Sequence, residues 1–184
     1  MRRDVLTGNY ENCKKGNTLS ISYDGGEGVD YKGDKLKVLS PTIELLYEYK
    51  NHIQQLSEEE NMRRYMQAYY SETLRGLDPG EVLDSLPEHP ILICRGDHPE
   101  SYARHLAAFW FEIFLGIRTS EIKVNNKRET LTSMPRPTYL KEEFEKIIRE
   151  NYPMGNYESI MAAYLYNKSL EVEKVYKLEN NWHK

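Results

Sequence analysis

At 184 residues, with 29% charged side chains and a mean hydropathy of −0.75, the chain has the length of one domain and can build a core without disulfide or metal staples. A formal charge of −4 and a pI near 5.8 exclude general coating of nucleic acid by a basic surface, although a local basic pocket stays open. No apolar run reaches the roughly 18–20 residues of a membrane span, and the opening MRRDVLTGNY lacks the apolar centre of a secretory signal, so a cytoplasmic protein is expected.

In chain order, DVLTGNY and NTLSISYD predict two short strands, over 4–7 and 18–23. In the second, Leu19, Ile21 and Tyr23 fall on one face and Ser20 and Ser22 on the other. DGGEG ends it. The Gly-rich GGEGVDYKG lacks a phosphate-loop lysine, because Asp34 follows Gly33, and reads as a surface loop. Ser40-Pro41 predicts a helix start, with Ile43, Leu46, Tyr47, Lys50, Ile53 and Leu56 along one face. Ser57 with Glu60 has capping-box spacing for a second helix ending at Gly76. Asp78-Pro79 with Glu81 starts a short third, to Leu86.

Pro87 and Pro90 isolate ILIC (91–94), a continuous apolar run that predicts a strand covered on both faces, as in a parallel sheet. PESYARHLAAFWFEIFLG then reads as a helix. Its buried stripe is Tyr102, Leu106, Phe109, Trp110, Ile113 and Ile117, and its opposite face carries Ser101, Arg104, His105, Ala108 and Glu112. EIKV (121–124) is a further strand. NNKRETLTSMPRPT suits a linker or an exposed hairpin, and helices follow at about 139–151 and 156–178. The expected fold is a three-layer open α/β one, with a mostly parallel sheet and flanking helices over 1–124; a linker and helical extension packed on it would take 125–184.

Chemistry-bearing residues concentrate in LICRGDHPESYARHL. In open α/β sheets ligands bind at the carboxyl ends of strands, beside helix N-termini. Cys94 ends such a strand; Arg95, Asp97 and His98 line the turn; Ser101, Tyr102, Arg104 and His105 open the helix. Two readings stand side by side: an anion-binding turn, or a buried structural cysteine beside a solvated helix face. The five histidines and two cysteines, Cys13 and Cys94, fit no metal-site spacing, so no metal or cofactor is expected.

The chain resembles the domain-of-unknown-function 488 family over about residues 4–124. LTGNY followed by LSIS, then YKGDKLKVLSPTIELLYEYK, then ILICRGDHPESYARHL carry the likeness. The last stretch is similar to the family's L-L-C-[YF]-E…F-C-H-R-H-L hallmark. The resemblance implies an α/β fold and places Cys94, Arg104 and His105 on the hallmark's first Cys, its Arg and its second His. The hallmark's second Cys and first His are replaced here by Tyr102 and Ala103, which removes dithiol chemistry and a thiol-activating base.

The function expected is therefore to bind, or bind and process, a small anionic ligand at the end of strand 91–94: a nucleotide, a nucleic-acid fragment or a phosphorylated metabolite. Arg95 and Arg104 would hold the anion, His105 would serve as acid or base, and Cys94 as nucleophile or pocket wall. The alternative is an inactive family member that binds a protein partner, or a second copy, through a surface built from its 15 tyrosines. With Arg104 opposite Leu106 and Trp110, Arg104→Ala is expected to weaken binding about tenfold to a hundredfold at little cost to the fold.

Overall fold

A computed structural model describes residues 4–14, 16–96, 100–125, 128–132 and 138–151. Six strands form one sheet: β1 (Val5–Asn9), β2 (Thr18–Ser20), β3 (Asp34–Lys35), β4 (Ile91–Cys94), β5 (Thr119–Asn125) and β6 (Arg128–Thr132). Their order is β3-β2-β4-β1-β5-β6, parallel throughout except for the antiparallel β5–β6 pair. Five α-helices accompany it: α1 (Ile43–His52), α2 (Glu58–Tyr69), α3 (Pro79–Ser85), α4 (Glu100–Leu115) and α5 (Thr138–Asn151). This is the mostly parallel, three-layer α/β fold expected. No helix among the described residues is long and apolar enough to cross a membrane.

α4 packs on β1, β4 and β5 and also contacts α3 and α5. Every residue from Tyr102 to Phe111 is buried, as a helix enclosed on all sides must be. The solvated face expected for α4 is thus wrong: Arg104, His105 and Ala108 lie inside with Leu106 and Trp110. The main core joins Val5, Leu19, Leu92 and Cys94 of the sheet to Met62, Tyr65, Leu106, Trp110 and Phe144 of the helices. A smaller cluster, Cys13, Ile91, Ile93 and Ile122 with Leu6, Tyr10 and Tyr31, covers the opposite face.

Local signals placed several elements well. Asp78 Oδ1 accepts from the Glu81 N–H at 2.9 Å, with Pro79 in the first turn, and Ser57 Oγ accepts from the Glu60 N–H. Asp78→Ala should cost about 1 kcal/mol, read as a lowered urea midpoint. Others moved. α1 starts at the Thr42 cap, whose Oγ1 accepts from Leu45 N–H, and not at Ser40. Its buried face is Leu45, Leu46 and Tyr49, while Ile43, Tyr47 and Ile53 are exposed. The face is set by α2, against which α1 packs through the Tyr49 and Tyr65 rings, 5.6 Å apart. α2 passes into a π turn over Tyr70–Leu74 before reaching Gly76. β2 stops at Ser20, and Tyr23 is exposed instead of sharing the buried face of Leu19 and Ile21. Within 125–138 the hairpin alternative holds, as β6 returns against β5. The expected helix at 156–178 lies outside the described residues.

Among the described residues several tyrosines pack inside. Tyr49, Tyr65, Tyr69, Tyr70 and Tyr102 are all buried, with Tyr65 and Tyr69 stacked nearly parallel. Among the described residues only Tyr23 and Tyr47 are exposed.

Candidate functional site

The sheet's topology selects the place. After β1 the chain crosses to β2 by residues 10–17, and Tyr10 and Cys13 of this crossover lie on the face of Ile91 and Ile93. After β4 it crosses the other way, through α4 to β5, on the face of Leu92 and Cys94. Crossovers of one hand that run in opposite directions must use opposite faces. The adjacent carboxyl ends of β1 and β4, where Asn9 pairs with Cys94, therefore open a crevice between diverging connections.

Two polar clusters meet there, one on each side of β4. Below the crevice, on the α4 side, Arg104 Nη1 donates to Cys94 Sγ at 3.3 Å and to the Arg95 carbonyl oxygen at 3.1 Å. The Cys94 thiol itself donates to that carbonyl oxygen at 3.4 Å. Arg104 Nη2 donates to Glu121 Oε1 at 2.9 Å. The other carboxylate oxygen, Oε2, faces His105 Nε2 at 2.9 Å and accepts from Thr7 Oγ1 at 2.7 Å. Thr7 and Glu121 are register partners on β1 and β5, so both side chains rise from the sheet into α4. Arg104, His105 and Glu121 are 4, 6 and 5% exposed, a depth at which charges must be paired.

Burial alone would raise the Glu121 pKa. The His105 hydrogen bond and the Arg104 guanidinium outweigh it and bring the carboxyl down to about 2. An ionised carboxylate only accepts, so the proton on His105 belongs on Nε2. Desolvation opposes the Arg104 charge, yet Cys94 and Glu121 beside it raise its pKa overall. This is an arginine held in one orientation by a carboxylate at Nη2 and by a backbone carbonyl and a sulfur at Nη1.

On the crevice side, Arg95 Nη2 donates to Asp24 Oδ2 at 2.7 Å. Asp24 also accepts from the Gly26 and Gly28 N–H groups, at 2.8 and 3.2 Å, and so builds the turn after β2. Burial pushes the Asp24 carboxyl up, but those N–H groups and Arg95 bring it below its ordinary value. A Cβ on Gly28 would overlap the Arg95 guanidinium, so glycine lets the loop come this close. The Gly-rich stretch that reads as a surface loop is thus a wall of the crevice. Tyr10, at the end of β1, completes it: its hydroxyl lies 2.6 Å from Ser20 Oγ and donates to Ser22 Oγ at 2.9 Å.

The structure therefore brings together Cys94, Arg95, Arg104 and His105. Tyr102 points elsewhere, its ring 6.2 Å from Tyr49 and 6.3 Å from Tyr65 in the helical layer. Asp97 and His98 lie outside the described residues, and Ser101 is placed only as part of α4. Sequence reasoning missed Glu121, Thr7, Asp24 and Tyr10. Asp24 alone left a local signal, as an Asp before Gly-Gly favours an Asx turn.

Among the described residues no group of three or more His, Cys, Asp and Glu is placed to hold a metal ion. A groove of about 470 Å³ lies between α1 and α2, away from the strand ends, with Glu48, His52 and Arg64 on its rim and Tyr49 and Tyr65 in its floor. No family model matches the chain, and neither a curated protein nor a solved structure is significantly similar to it.

Proposed function

We infer that the chain binds a small anionic ligand, bearing phosphate as in a nucleotide, nucleic-acid fragment or phosphorylated metabolite, above the carboxyl ends of β1 and β4. One observation carries this reading: a part-exposed guanidinium, Arg95, stands where the two strand connections diverge, on the strand end that leads into α4. That end of a helix favours negative charge through its unsatisfied N–H groups. Arg104 and Cys94 form the floor beneath it. The likeness to the domain-of-unknown-function 488 hallmark supports the same reading, since Cys94 and Arg104 are in contact and His105 joins Arg104 through Glu121. The tyrosine-built partner surface has less support, with five of those rings in the core.

The test is a panel of nucleotides and phosphorylated metabolites, assayed by thermal shift and calorimetry on wild type and Arg95→Ala. A charge-assisted hydrogen bond contributes on the order of 1.5–3 kcal/mol, so Arg95→Ala should weaken binding about tenfold to a hundredfold. The fold should survive, because the lost pair with Asp24 lies near the surface. Should no phosphate-bearing compound bind wild type, or should the variant bind equally well, the anion reading fails.

A further inference from the structure

We propose that the groove between α1 and α2 is a second binding site, which takes the ammonium group of a small primary amine. The inference does not depend on anion binding, because the groove lies away from the strand ends that carry that reading.

A buried carboxamide is the starting point. Asn61 is 2% exposed and lines the groove from α2. Its Nδ2 donates to the Tyr49 carbonyl oxygen of α1 at 2.9 Å. A carbonyl only accepts, so that bond fixes which way the amide faces. Its Oδ1 then accepts no hydrogen bond from the described residues, and it borders open space instead of core. A buried acceptor left without a donor is costly. Asn151, at the end of α5, repeats the arrangement on the same groove: its Nδ2 donates to the Ile147 carbonyl oxygen at 2.8 Å, and its Oδ1 accepts nothing from the described residues. Glu48 adds a carboxylate from α1 with no ion pair among the described residues. α1, α2 and α5 thus offer oxygen acceptors to one space. An ammonium group brings N–H donors and a positive charge to match.

Sign and size narrow the class. Arg64, the guanidinium on the rim, is drawn to Glu60 one turn earlier, at 3.4 Å. Gln67 and a neutral His52 can accept as well as donate. The groove also runs beside the last turn of α1, where free helix carbonyls favour a cation. An anion would instead meet the Glu48 carboxylate and two amide oxygens. A volume of about 470 Å³ is far more than a bare ion needs and suits an organic body. Leu45, Ala68 and the Tyr49 and Tyr65 rings give that body an apolar wall.

The experiment titrates the isotopically labelled full chain with n-butylammonium, butyltrimethylammonium and butyrate, followed by NMR. The first two probes share a charge and an alkyl chain, but the trimethyl one has no N–H to donate. n-Butylammonium should shift the Asn61 side-chain amide resonances, and butyrate should leave them in place. The trimethyl probe should bind at least about tenfold more weakly, since it cannot hydrogen-bond to Oδ1. Glu48→Gln should weaken n-butylammonium about three- to tenfold, a modest factor because Glu48 is exposed and solvent screens its charge. Exposure also means that this variant should fold as wild type does. Arg95→Ala should bind n-butylammonium unchanged, which separates this site from the anion crevice. Absence of binding, shifts spread over the acidic surface without Asn61, equal affinity for the two cations, or a Glu48→Gln variant that binds as tightly as wild type would each overturn the proposal.

Discussion

Arg104→Ala should destabilise the fold by about 3–5 kcal/mol, because it leaves Glu121 ionised and buried without its cation. That is a large part of the roughly 5–15 kcal/mol that holds a domain folded. It also reverses the expectation from helical spacing, in which Arg104 faces solvent and its loss touches only binding. Two charges that are each about 95% buried attract strongly but are costly to desolvate. Replacing both by apolar groups should therefore hurt less than removing one. Arg104→Met combined with Glu121→Leu should unfold at a higher urea concentration than Arg104→Ala, even though His105 and Thr7 then lose their shared acceptor. Urea titrations of wild type, Arg104→Met, Glu121→Leu and the double form the cycle. Losses that simply add would show that Arg104 and Glu121 do not act as a unit.

The reversal shows where sequence reasoning ran out. Short-range signals carried far: Ser57 and Asp78 cap the helices their spacing predicts, and the prolines around ILIC mark a strand whose four residues are all buried. Strand, turn and helix in that order bring Cys94 and Arg104 close, ten residues apart, so half of the cluster was legible. The other half was not. Glu121 alternates with Ile122 and reads as a solvent-facing strand position. It is internal only because β5 pairs with β1, which sets it beside Thr7, 114 residues away. Arg104, His105 and Glu112 likewise have the spacing of a wetted helix face. Glu121 covers the first two, and Lys141 of α5 and Thr119 cover the third. Polar residues predict solvent exposure only when no partner of opposite character comes from elsewhere in the fold, and periodicity holds no record of such partners. Composition likewise does not say which tyrosines pack inside, as Tyr49, Tyr65, Tyr69, Tyr70 and Tyr102 do.

Acid should unfold the chain through Glu121. Its carboxyl titrates near 4.5 when unfolded and about 2 when folded, so its contribution is complete above about pH 4.5 and is lost as pH falls from there toward 2. The stabilisation involved is on the order of 3 kcal/mol. Asp24, also depressed, acts in the same direction, but more weakly because its pair with Arg95 is partly screened by solvent. Urea midpoints followed from pH 6 to 3 should fall steeply for wild type below about pH 4.5. Glu121→Gln should start lower and vary much less, since a carboxamide has no charge to lose. A wild-type slope no steeper than that of Glu121→Gln would mean that Glu121 is not held ionised by Arg104 and His105.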